Sequence, residues 1–220
     1  MKKIILFGTG AQAQEVHLLV THDSPYEVAA FTKDREHLED DTLLGLPVVP
    51  FDEVESIYPP AEYEMHIAVG YLMLNQVRAE RCRQAKAKGY RLTSFISSKA
   101  TTWPGFTVGE NCLVGANATI YPSCEIGNNV VISTGCVIPH NTKIEDHCFV
   151  AAGVVFSGWV TVKPYCFIGT GAVIRNNVII GRENIIGAGA VVLENTEDRG
   201  VYMGKSAELL PISSDKMGLA

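Results

Sequence analysis

The stretch VVISTGCVIPHNTKIEDHCFV, residues 130–150, places an aliphatic side chain at Ile132, Ile138, Ile144 and Val150, six residues apart. The register extends back through Ile126, Ile120, Val114 and Val108. It continues forward through Phe156, Val162, Ile168, Ile174, Ile180, Ile186 and Val192. Fifteen consecutive positions are filled, fourteen of them by Ile or Val. Four residues after each comes a second, mostly small register that includes Cys112, Ala118, Cys124, Val130, Cys136, Thr142, Cys148 and Val154. A period of six fits neither an α-helix nor a strand meander. It fits a parallel β-helix of hexapeptide repeats, in which three short strands make one coil of about 18 residues. Fifteen repeats make about five coils, a stack roughly 24 Å tall at about 4.8 Å per coil.

Five of the six cysteines (Cys112, Cys124, Cys136, Cys148 and Cys166) fall in the small inward register. They are expected to be buried, reduced filler, which suits a cytosolic compartment. The chain of 220 residues is 47% hydrophobic and 19% charged, enough apolar material to exclude disorder. Its apolar runs fall far short of the roughly 20 residues of a membrane span. Met1 leads into a strand pattern rather than a signal peptide. A soluble, cytoplasmic protein with no membrane partner is expected. Net charge −6 without a basic cluster argues against a nucleic-acid partner.

Residues 1–95 read differently, as strands alternating with helices. Strands are predicted at Lys3–Phe7, Glu27–Phe31, Leu46–Val49, Met65–Val69 and Arg91–Ile96. Helices are predicted after Gly10, over Phe51–Ile57 and over Asn75–Lys88, the last ended by Gly89. This is an α/β, Rossmann-like half-domain with a small parallel sheet. An all-β parallel β-helix domain with a C-terminal tail then occupies 96–220. Gly8-Thr9-Gly10 followed by Ala13, with Asp34 at the end of the second strand, matches a dinucleotide-type turn. Backbone N–H groups at a helix N-terminus would meet a phosphate there. Ninety residues make half a dinucleotide fold, so the turn is read as a nucleotide-sugar site.

The pairing of these two units resembles the bacterial sugar acyltransferases grouped with the sialic-acid O-acetyltransferases. Members of that group N-acetylate nucleotide-linked 4-amino sugars of the bacillosamine and perosamine type. The resemblance covers nearly the whole chain. It rests on Gly8-Thr9-Gly10, Ile67-Ala68-Val69-Gly70 with Arg78, Phe95-Ile96-Ser97-Ser98-Lys99-Ala100, Val137-Ile138-Pro139-His140, Ile186-Gly187-Ala188-Gly189-Ala190 and Val201-Tyr202-Met203-Gly204. It implies left-handed coils, a homotrimer, acetyl-CoA as co-substrate and a cleft between subunits. It also implies a role in lipopolysaccharide, O-antigen or other surface-glycan biosynthesis. Three positions depart from the pattern: Asn141 replaces an acid, Phe149 a second histidine, and Gln12 a histidine.

Of six histidines, only His140 and His147 lie in the coil. His140 follows Ile138 by two residues, at an exposed corner, and one coil length places Gly158 beside it. Histidine suits proton transfer near neutral pH, so His140 is the expected general base. Asn141 is expected to orient it, and the Gly158 N–H to meet the oxyanion. His147 is read as a surface or subunit contact. Two coil histidines do not make a zinc site, so no metal is expected. By position in the fold, Ser157, Gly169, Thr170, Ala188 and Lys205 are expected to line the acetyl-CoA groove. Gly8, Thr9, Gly10, Gln12, Asp34 and Gly70 are expected to hold the nucleotide-linked amino sugar. N-acetylation is favoured because an uncharged Asn141 handicaps an amine less than a hydroxyl. The alternatives are sugar O-acetylation of the sialic-acid type and a purely structural solenoid.

Overall fold

The computed structural model describes residues 2–216. The N-terminal unit is a sheet of β1 (Lys2–Phe7), β2 (Tyr26–Lys33), β3 (Thr42–Leu43), β4 (Leu46–Pro50) and β5 (Tyr63–Ile67), in the order β3-β4-β2-β1-β5. Every pairing is parallel except the β3–β4 hairpin. Alternation along the strands separates two cores. Ile4, Leu6 and Phe31 pack with Ala13, Val16 and Val20 of α1 (Ala11–Asp23). Ile5, Phe7 and Ala30 pack on the other side with α2 (Val54–Ile57) and with Cys82 and Ala85 of α3 (Gln76–Ala87).

Several element boundaries differ from the sequence reading. Residues 51–53 form a turn, so α2 is one turn long. Residues 91–96 do not make one strand. Leu92 bridges to Met65 at the sheet edge, and Phe95–Ile96 already pairs with Leu113–Val114 as the first coil strand. The first coil strand therefore spans residues 95 and 96, and Ser94 just before it donates its Oγ–H to the Gly109 carbonyl.

The repeats form three flat faces of two-residue strands. Face 1 has seven strands, from Phe95–Ile96 to Val201–Tyr202; face 2 has six, from Thr101–Thr102 to Val191–Val192; face 3 has five, from Thr107–Val108 to Ile179–Ile180. Both predicted registers point into one continuous core, including all five coil cysteines. A third register becomes visible at the corners. Every sixth residue from Gly105 to Gly189 has a positive φ. Ten of these fifteen positions are Gly or Asn, the residues that adopt the left-handed conformation at least cost.

The two units share a core. The outward column of face 1 (Phe95, Leu113, Val131 and Phe149) is buried with the inner stripe of α1. A 13-residue helix is about 20 Å long, matching four coils at about 4.8 Å. Arg78 of α3 pins the joint. Its fully buried guanidinium donates to the carbonyls of Gly70, Asn129 and Cys148 and to the side chains of Asn75 and Asn129. Among the described residues, no helix is long and apolar enough to cross a membrane.

Candidate active site

His140 lies at the corner between faces 2 and 3. Ile138 points into the coil, and the chain turns outward through Pro139, leaving the imidazole exposed. Its Nδ1 is 3.2 Å from Asn141 Oδ1. With the amide oxygen accepting from Nδ1–H, Nε2 carries the free lone pair. Asn141 occupies the left-handed corner position, with φ +57°. Asparagine is favoured there for backbone reasons alone.

Gly158 is stacked on His140 as the coil length predicted. A Cβ at Gly158 would sit 3.1 Å from His140 Cε1 and 3.2 Å from Nε2, and its φ is +69°. Glycine is thus favoured twice, by a φ that side chains rarely adopt and by the closeness of the ring. It opens the Nε2 edge of the ring. Ser157 is at the same corner, its N–H bonded to the Ile174 carbonyl.

The other predicted groove residues are elsewhere. Gly169, Thr170 and Ala188 cluster at the corner between faces 1 and 2, where the Gly189 N–H donates to the Thr170 carbonyl and Gly169 N–H to that of Ile186. Gly204 lies against the Ala188 carbonyl, which brings the neighbouring, exposed Lys205 to this corner. Face 2 separates this group from His140 within one chain.

The Gly-rich turn stands at the C-terminal edge of the sheet. Gly8, φ +115°, approaches the β5 end so closely that a Cβ would be 2.9 Å from the Ala68 carbonyl. Gly8 therefore stands at the β1–β5 crevice, where strand order reverses and open α/β sheets take ligands; the Gly70 carbonyl, two residues beyond Ala68, accepts from Arg78. Gly10 caps α1 without a side-chain bond, and Gln12 contacts Glu15. Asp34 is engaged elsewhere: its carboxylate is 2.6 Å from Arg81 of α3. A cavity of about 130 Å³ beside Thr9 is lined instead by Lys33, Leu38 and Val48 among others. Lys33, which ends β2 without any sequence motif, lines this cavity together with Glu39 and Asp40.

His147 is at the third corner, facing α3 rather than open solvent. Arg78 and Asn111 both donate to Asn129 Oδ1, so the Asn129 amide N–H faces His147 Nδ1 at 2.9 Å. This leaves the ring neutral with its proton on Nε2, and burial lowers its pKa. Tyr165 lies against it, ring centroids 4.7 Å apart. Among the described residues, no group of three or more His, Cys, Asp or Glu is placed to hold a metal ion.

Comparison with known proteins agrees with this architecture. The family model of bacterial transferase hexapeptide repeats matches between residues 107 and 194. No curated protein sequence matches the chain. The acetyltransferase domain of PglB from Neisseria gonorrhoeae FA1090 is 25% identical, covering 96% of this chain and 100% of that one, with a TM-score of 0.85. PerB from Caulobacter crescentus, in complex with CoA and GDP-perosamine, is 27% identical over 93% of this chain and 95% of that one, with a TM-score of 0.82. WeeI from Acinetobacter baumannii AYE shares the fold at 24% identity, over 96% and 100% of the two chains, with a TM-score of 0.79.

Proposed function

From a chain built on the bacterial transferase hexapeptide repeat, with the whole architecture of bacterial left-handed β-helix sugar acyltransferases, we propose an acetyl-CoA-dependent N-acetyltransferase of a nucleotide-linked amino sugar. The observation that carries this reading is the exposed His140, with Nδ1 turned to Asn141 and its Nε2 edge opened by Gly158. That is the arrangement of a general base with room for an acceptor.

In the proposed reaction the sugar amine attacks the thioester carbonyl carbon while its proton passes to His140 Nε2. Asn141 Oδ1 holds the Nδ1–H of the imidazolium that forms. The Gly158 N–H is the proposed donor to the tetrahedral oxyanion. Collapse breaks the C–S bond, and the imidazolium returns its proton to the CoA sulfur. The products are the N-acetyl sugar and free CoA. Asn141 supplies a hydrogen bond without charge, which favours an amine over a less nucleophilic hydroxyl.

The thioester would run along the corner of Gly169, Thr170 and Ala188, with Lys205 toward the CoA phosphates. Since face 2 separates that corner from His140, a site containing both needs a second chain. Face 2 offers the contact. Its outward column, Thr101, Thr119, Val137, Val155, Val173 and Val191, lacks charge, whereas face 3 carries the Lys143–Glu125 pair. We take that assembly to be the homotrimer that the family resemblance implies, with its cleft between neighbours. The nucleotide sugar would enter by the Gly8–Gly10 turn, and the reaction would serve surface-glycan assembly in the cytoplasm.

The test is CoA release from acetyl-CoA with a panel of UDP-, dTDP- and GDP-linked 4-amino and 3-amino sugars. At least one amine is expected to be acetylated, and His140→Ala is expected to lower turnover about 10²–10⁴-fold while CoA still binds. The loss should shrink as pH rises and more of the amine is neutral. Near-normal turnover of His140→Ala at pH 7 would overturn the assignment.

A further inference from the structure

The chain has two tryptophans, and both lie along the corner that carries His140. Trp159 follows Gly158 and holds its ring edge-on to the imidazole, centroids 6.2 Å apart at 79°. It is 57% exposed, although an indole ordinarily seeks burial. Its backbone is also unusual. Trp159 fills a left-handed corner position, φ +55°, of the kind that Gly or Asn fills in ten of fifteen cases. A bulky residue in that conformation carries a cost that Asn would avoid, and such strain concentrates at functional sites. On the other side of His140, one coil earlier, Tyr121 is anchored by its N–H to the Ile138 carbonyl. Its exposed ring stacks on that of Trp103, centroids 6.3 Å apart at 24°.

Three exposed aromatic rings therefore bracket the proposed base along the stacking axis. Resting on the acetyltransfer reading above, we propose that Trp159 and Tyr121, the latter backed by Trp103, form the wall against which the pyranose ring of the acceptor packs. A pyranose presents a face of C–H groups, and an aromatic face is its apolar complement. Stacking there sets the sugar's height along the corner, and so decides which ring substituent reaches Nε2. The wall is a specificity device and takes no proton.

The test uses Trp159→Ala, Trp159→Phe and Tyr121→Ala with the sugar that the wild-type protein acetylates. Trp159→Ala is expected to raise KM for the sugar by about tenfold, the scale of one lost aromatic contact. KM for acetyl-CoA should stay within about twofold, the separation that marks loss of acceptor binding. Trp159→Phe should recover most of the loss, and the sedimenting mass should not change. In Trp103→Phe, Trp159 is the only tryptophan, and its emission should shift on titration with sugar nucleotide but not with CoA. An unchanged sugar KM would overturn the wall, as would a rise in both constants together with dissociation, which would make Trp159 a subunit contact. If the wild-type protein acetylates no sugar of the panel, the acetyltransfer reading fails separately. The emission titration with the UDP-, dTDP- and GDP-linked sugars then decides the wall alone, and a silent Trp159 overturns it.

Discussion

At the scale of single residues, backbone conformation explains choices that chemistry alone leaves odd. Asn141 stands where an acid would strengthen the proposed base, yet its backbone holds φ +57°, and asparagine is among the few side chains that adopt it readily. Aspartate tolerates the same conformation, so Asn141→Asp is expected to fold normally and raise turnover several-fold by stabilising the imidazolium. A steady-state assay beside a melting curve checks both parts. His66 gives a pH prediction of a different kind. It is fully buried, donates Nδ1–H to the Thr93 carbonyl, and burial pushes its pKa down to about 4. A folded value below the unfolded 6.5 means that the unfolded chain binds the proton first. The contribution is therefore present above pH 6.5 and lost as pH falls toward 4. About 3 kcal/mol of stability is at stake. Denaturant midpoints measured from pH 7 to 4 should fall in wild type and fall less in a stable His66→Gln protein.

Among secondary-structure elements, the coil was legible because one hexad fixes six residues at once. The aliphatic and small registers named its whole interior. The left-handed register was equally regular in Gly and Asn, but those residues also punctuate ordinary loops. Their meaning emerges only with the corners in place. The N-terminal elements were legible in type and blurred at their ends, as at residues 51–53 and 91–96, where short strands depend on partners far along the chain. Asp34 shows why motif reading stopped short. The strand-end acid was in place, but nothing local reveals that Arg81, 47 residues on, engages it. Arg78 likewise carries its importance in tertiary contacts. Arg78→Met should strand buried carbonyls at the joint, costing on the order of 3 kcal/mol. Calorimetry should find a Tm lowered by roughly 10 °C. The inward cysteines make a complementary prediction. Burial raises Cys112 and Cys136 to about 11 and Cys82 to about 12, so thiol reagents should label the native protein slowly and the unfolded protein at six sites.

On the scale of the whole molecule, the separation of two residue groups makes the strongest demand. His140, Ser157 and Gly158 stand on one side of face 2; Gly169, Thr170 and Ala188 stand on the other. A copy docked along face 2 would bring one chain's proposed base to its neighbour's proposed groove. Sedimentation equilibrium is expected to give three times the chain mass of 23.9 kDa. Val173→Asp, placing a charge on the face 2 column, should shift the mass toward one chain and abolish turnover with His140 intact. Mixed trimers separate shared sites from mere stability. A chain carrying His140→Ala lacks the proposed base, and one carrying Ala188→Trp has the exposed corner of the proposed groove blocked. Each should be inactive alone. If every site takes its base from one chain and its groove from the next, some sites in a mixture pair the intact corner of one with the intact histidine of the other. Co-expression should then restore a measurable fraction of wild-type turnover. A mixture as dead as its parents, with trimers confirmed by mass, would place both halves of each site within one chain.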